Sequence, residues 1–108
     1  MPAPDPDPLF RMFADASRRA IFERLCREGE LTVGGLTHGS GISQPAISKH
    51  LGVLKEGGLV EGRRAGRSTY YRALPARLAS LDDWTGQMRT FWEARLDDLD
   101  DLLTRMDN

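Results

Sequence analysis

The stretch Gly41-Ile42-Ser43-Gln44-Pro45-Ala46-Ile47-Ser48-Lys49-His50-Leu51-Gly52-Val53-Leu54-Lys55 decides the fold. It predicts a short helix. The Ser43 hydroxyl suits an N-cap, since it can accept from one of the first unpaired backbone N–H groups. Pro45 falls in the first turn, where its missing N–H costs nothing. Ile47, Leu51 and Leu54 then recur at helical spacing and form one apolar stripe. Gln44, Ser48, Lys49 and Lys55 lie largely off that stripe, and with Ser43, Ala46 and His50 they are the candidate DNA contacts of this helix. Gln bonds adenine bidentately, Ser adapts as donor or acceptor, and Lys suits guanine or phosphate. This is the residue mix expected of a helix lying in a DNA major groove.

The flanking sequence sharpens that reading. Upstream, Leu31-Thr32-Val33-Gly34-Gly35-Leu36 predicts a second short helix capped by Thr32, ending near Gly39-Ser40-Gly41. Helix, Gly-containing turn and polar-faced helix make a helix-turn-helix over about residues 32–56. Downstream, Gly57-Gly58 ends the second helix. Two β-prone runs follow, Leu59 to Arg64 and Arg67 to Arg72, around a turn at Ala65-Gly66. They predict a hairpin over about residues 59–73, the wing of a winged helix. Arg63, Arg64 and Arg67, with Ser68, are candidates for phosphate or minor-groove contacts, against the plainer role of exposed solubilising cations. Tyr70 and Tyr71 alternate across the strand, so one packs and the other faces water.

Four blocks, Ala14 to Leu25, Ser43 to Leu51, Gly58 to Val60 and Gly66 to Arg72, resemble the ArsR family of bacterial winged-helix repressors. The resemblance runs from about Leu9 to Met106, with the blocks in the family's order. It implies a homodimer that binds a palindromic operator in double-stranded DNA and represses transcription. The family usually has Pro where this chain has Ala16, a residue equally suited to a first helical turn.

Length and composition agree. A chain of 108 residues is one small domain with a limited core, which pairing with a second copy would supplement. No apolar run is long enough to span a membrane. Residues 1–8, Met-Pro-Ala-Pro-Asp-Pro-Asp-Pro, lack the features of a signal peptide and predict a disordered tail ahead of a domain over residues 9–108. The single cysteine excludes an intramolecular disulfide, and a cytoplasmic setting is the default expectation. The fold expected is mainly α with a small β-hairpin, closed by a long C-terminal helix.

The formal net charge of -1 conceals an asymmetry. From Gly41 to Arg72, Lys49, Lys55, Arg63, Arg64, Arg67 and Arg72 outnumber Glu56 and Glu61, for a net of +4. From Asp82 to Asn108 the balance is −5. A charge run is often only a solvated face. Here the positive excess falls on the two elements that would meet phosphate.

That acidic segment also carries Trp84, Met88, Phe91, Trp92, Leu96, Leu99, Leu102, Leu103 and Met106 at steps of three and four. The pattern predicts an amphipathic helix over about residues 82–106, about 37 Å long. From Trp92 on, the spacing approaches a coiled-coil seam. Trp84 and Met88 fit either the chain's own core or a partner. The C-terminal half predicts pairing with a second copy through Phe91, Trp92, Leu96, Leu99 and Leu103, joined by Leu9, Phe10, Met12 and Phe13.

Other residues point less far. His50 fits a backbone contact to DNA or a structural place beneath the helix. His38 is expected to cap carbonyls at the end of the preceding helix. Cys26 reads as a small buried hydrophobe, with a redox-sensing thiol as the alternative. In metal-sensing ArsR relatives, thiolates precede the recognition helix, or His and carboxylate pairs occupy the C-terminal helix. This chain has neither, so neither a metal nor a cofactor is expected. Asp97, Asp98, Asp100 and Asp101 read as a solvated face. An enzyme is not expected, for want of a nucleophile with a partner His or a Gly-rich phosphate loop. A protein-interaction module using the same winged helix is the alternative to an autoregulatory repressor.

Overall fold

The computed structural model describes residues 5–107. Five α-helices and three strands follow in order: α1 (Asp7–Ala14), α2 (Ala16–Glu28), β1 (Leu31–Thr32), α3 (Val33–Thr37), α4 (Gln44–Glu56), β2 (Val60–Ala65), β3 (Ser68–Ala73) and, after a 3-10 turn at Pro75–Leu78, α5 (Ala79–Met106). Residues 1–4 of the expected tail lie outside the described residues. Asp7 and Pro8, assigned to the tail by sequence, already belong to α1, with Pro8 in its first turn. There its ring costs no hydrogen bond.

Two N-caps follow the local signals. The Thr32 hydroxyl accepts from the Gly35 N–H at 3.0 Å, and Asp15 accepts from the Arg18 N–H at 2.9 Å. The helices converge on one core. Leu9, Met12, Ile21, Phe22, Leu25, Leu36, Ile47, Leu51 and Leu54 meet there with Leu59 and Val60. Leu9 and Met12 therefore face their own chain, which corrects the expectation that they join a second copy. Periodicity shows that a helix has an apolar face, but not what covers it. Phe13 is half-buried against Phe22, ring centroids 5.2 Å apart, while Phe10 stays exposed.

The wing is larger than a hairpin. The sheet order is β1-β3-β2, all antiparallel, with Leu31 opposite Tyr71 and Thr32 opposite Tyr70. Leu31, expected to open a helix, instead pairs with Tyr71, while Thr32 caps α3 as expected and also pairs with Tyr70, so the two tie the wing to the body before α3 begins. In the hairpin, Ala65 faces Ser68 across a two-residue turn, with Gly66 at φ 63, a conformation that costs glycine little.

The body does not accommodate all of α5. Ser80 is buried and Leu81 packs on the core, but every large apolar side chain from Trp84 to Met106 is exposed. Twenty-eight residues of helix span about 42 Å. The radius of gyration is 20.1 Å, against about 13 Å for a compact domain of this size. The helix is an arm, and its stripe lies open.

Candidate nucleic-acid interface

α4 is positioned from beneath. Ile47, Leu51 and Leu54 are each at most 1% exposed, and they anchor the helix to α2 and α3. The turn before it uses Gly41 at φ 74, and the Ser40 hydroxyl accepts from the Ile42 N–H at 3.0 Å. Ser43 then caps the helix, its hydroxyl accepting from the Ala46 N–H at 3.3 Å. Burial of one stripe forces the opposite one outward. Gln44, Ser48, Lys49 and Lys55 are all exposed.

Two predicted site residues stand away from that face. Ala46 is half-buried, and its N–H is engaged by the cap. His50 is half-buried with its Nδ1 enclosed and without a hydrogen-bond partner among the described residues. It sits close enough to the start of α2 for its charge to act on Asp15. The Asp15 carboxyl is held below its ordinary range chiefly by the Arg18 N–H, with His50 and Arg18 adding smaller attractions.

The wing arginines divide. Arg63 is paired with Glu30, Nη2 to Oε2 at 2.7 Å, and its guanidinium lies 5.3 Å from the centre of the Tyr70 ring. The Glu30 carboxyl is accordingly held low, and the Arg63 guanidinium is pushed higher still. Arg72, also in the wing, pairs with Glu61 across the hairpin. Arg64 and Arg67, nearer the tip, are exposed and make no ion pair among the described residues, and Ser68 beside them is exposed too. Tyr71 packs on the core, whereas Tyr70 lies under Arg63.

The turn between α3 and α4 is locked by a residue that sequence reasoning missed. Arg24 of α2 donates through Nη1 to the carbonyl oxygens of Leu36 and His38. This is the role expected of the His38 side chain. Cys26 is exposed rather than buried, which corrects its reading as a core residue. Among the described residues, no group of three or more His, Cys, Asp or Glu could hold a metal ion, and no helix is long and apolar enough to cross a membrane.

Comparison with known proteins bears on this arrangement. A helix-turn-helix domain family matches residues 13–63, which contain α2, β1, α3 and α4. An HTH-type transcriptional regulator of Mycobacterium tuberculosis is 46% identical over 76 residues, 70% of each chain. A crystal structure of an ArsR family transcriptional regulator matches 85% of this chain and 97% of its own with a TM-score of 0.73 at 27% identity.

The chain belongs to the ArsR family of winged helix-turn-helix transcriptional regulators.

Other ArsR-type relatives extend the picture. An arsenic resistance transcriptional regulator of Pseudomonas putida is 44% identical over 70 residues, 65% of this chain. The present chain spans 55% of that relative's length. A solution structure of a homodimeric winged helix-turn-helix DNA-binding domain from Mycobacterium bovis, a possible ArsR-family regulator, aligns at a TM-score of 0.61 and 30% identity, over 78% of this chain and 77% of that one. These ArsR relatives are DNA-binding regulators rather than enzymes.

Proposed function

We propose that the chain is a homodimeric transcriptional repressor that reads a palindromic operator with α4 and grips phosphate with its wing. The observation that carries the reading is the outward face of α4. It is exposed, polar and basic, on a helix whose other side is locked in the core. Gln44 and Ser48 are the base-reading candidates. Lys49, Lys55, Arg64 and Arg67 are the phosphate-binding ones.

Dimerisation through α5 supports this reading in two ways. The open stripe on the arm needs a cover, and the Mycobacterium bovis neighbour is homodimeric. Two copies joined there would offer two α4 helices to successive major grooves, about 34–36 Å apart. Repression then needs only occupancy, and the repressor's own promoter is the natural first target.

The arsenic-resistance relatives raise the question of a metalloid effector. A soft metalloid wants several thiolates, and this chain offers Cys26 alone. The proposed repressor is therefore not metal-responsive through this chain's own residues. The exposure of Cys26 favours one second reading, release by oxidation of that thiol. Band shifts with and without peroxide, on the native chain and on Cys26→Ser, separate the two. Footprinting on the promoter region tests the main proposal, which fails if no sequence is preferred over random duplex at physiological salt.

A further inference from the structure

Gly52 lies in the third turn of α4, exposed, with nothing within 4 Å of where a Cβ would stand. Its φ is not in the left-handed region. Neither backbone geometry nor internal packing requires glycine there. Glycine is among the poorest helix formers and alanine the best, so the chain forgoes helix stability without an internal reason.

The surroundings supply an external one. On a helix surface, the neighbours of position 52 are Ser48 and Lys49 before it and Lys55 and Glu56 after it, and all four are exposed. Gly52 is thus a hollow in the middle of the outward face, ringed by three hydrogen-bond donors. The one acid, Glu56, is the last residue of α4, farthest from the end that would enter the groove.

We infer that Gly52 is a positioning residue for docking on the duplex: the sugar–phosphate backbone bordering the major groove crosses α4 at this hollow, between Lys49 and Lys55. The inference rests on the DNA-binding reading proposed above. In a helix-turn-helix the first turns of the recognition helix reach base edges, which leaves the third turn at the lip of the groove. A residue without a side chain allows close approach of a ligand there. Any Cβ would hold the helix away and stretch the flanking phosphate contacts.

The test uses the full chain as Gly52→Ala and Gly52→Leu, titrated against its footprinted promoter duplex and a random duplex, with melting curves in parallel. Gly52→Ala is expected to melt about 4 °C higher, because an unstrained helix position gains a better helix former. Yet it should bind both duplexes about threefold more weakly, and Gly52→Leu at least tenfold more weakly. A more stable fold with weaker DNA binding is an outcome that a purely structural role cannot produce. Gly52→Ala binding as tightly as the native chain, or more tightly, overturns the inference while leaving the DNA-binding reading intact. If the native chain itself binds neither duplex, that reading falls and takes the inference with it.

Discussion

Arg24 Nη1 stands 3.0 Å from the carbonyl oxygen of Leu36, and its Nε stands 2.7 Å from Glu28 Oε2 one turn along α2. A helix end leaves carbonyls without partners, and here a guanidinium from another helix satisfies them. The same side chain reaches His38 at 3.4 Å, so it spans the start of the turn that sets the angle between α3 and α4. Replacing Arg24 by alanine should cost about 1–2 kcal/mol, the usual worth of a charge-assisted hydrogen bond at a half-exposed site. Urea denaturation reads that loss. Arg24→Lys should recover only part of it, because an ammonium lacks the planar fork that reaches two carbonyls and a carboxylate together.

The pairing of Arg63 with Glu30 leads to a second prediction. A cation already held by a carboxylate and stacked on Tyr70 has less to offer a phosphate than a free one. Alanine at Arg64 or Arg67 should therefore lower the slope of log affinity against log salt by about 0.9 each, one released counterion apiece. Alanine at Arg63 should change that slope much less. Equal effects from all three would mean that Arg63 leaves Glu30 when DNA binds.

Acid should weaken the fold through two identified carboxylates. Asp15 is held low by the Arg18 N–H that it caps, and Glu30 by the Arg63 hydrogen bond. Each is more acidic folded than unfolded, so its contribution is fully present above the ordinary values of 3.8 and 4.5 and is lost as pH falls through the lower folded values. Melting temperatures followed downward from neutral pH should drop in that acid range. Asp15→Asn, which keeps the cap without the titration, should flatten part of the drop.

What the sequence disclosed, and what it withheld, follows from the range of the interactions. Ser43 and Thr32 were readable as caps because each bonds a backbone N–H three residues on. The α4 stripe was readable because helical periodicity is local. Arg24 to Leu36 and Arg63 to Glu30 join residues 12 and 33 positions apart, and no local pattern marks either pair. β1 is two residues long, too short for alternation to show. Cys26 follows Leu25 directly, about 100° round the helix, so adjacency to an apolar residue turned it away from the core rather than into it. At the interface, spacing separated the outward face of α4 from its buried stripe. It could not show that the His50 Nδ1 is enclosed, because that depends on the elements packed around α4.

The open stripe on α5 yields the strongest test of assembly. Trp92 is 62% exposed and Leu99 50% exposed in the single chain, far from what such side chains adopt when covered. Burying apolar surface of this kind supplies about 25 cal/mol per Å², and two antiparallel or crossed arms would each cover the other. Trp92→Asp combined with Leu99→Asp should leave the body folded, since neither residue belongs to the core. Sedimentation equilibrium should then find a monomer at micromolar concentration where the native chain is expected to sediment as a dimer. Operator affinity should fall at least a hundredfold, because one α4 engages only one half-site, while weak binding to random duplex persists. A native chain that sediments as a monomer, or a double variant that still dimerises, would place the contact between copies elsewhere and remove the spacing argument for a palindromic site.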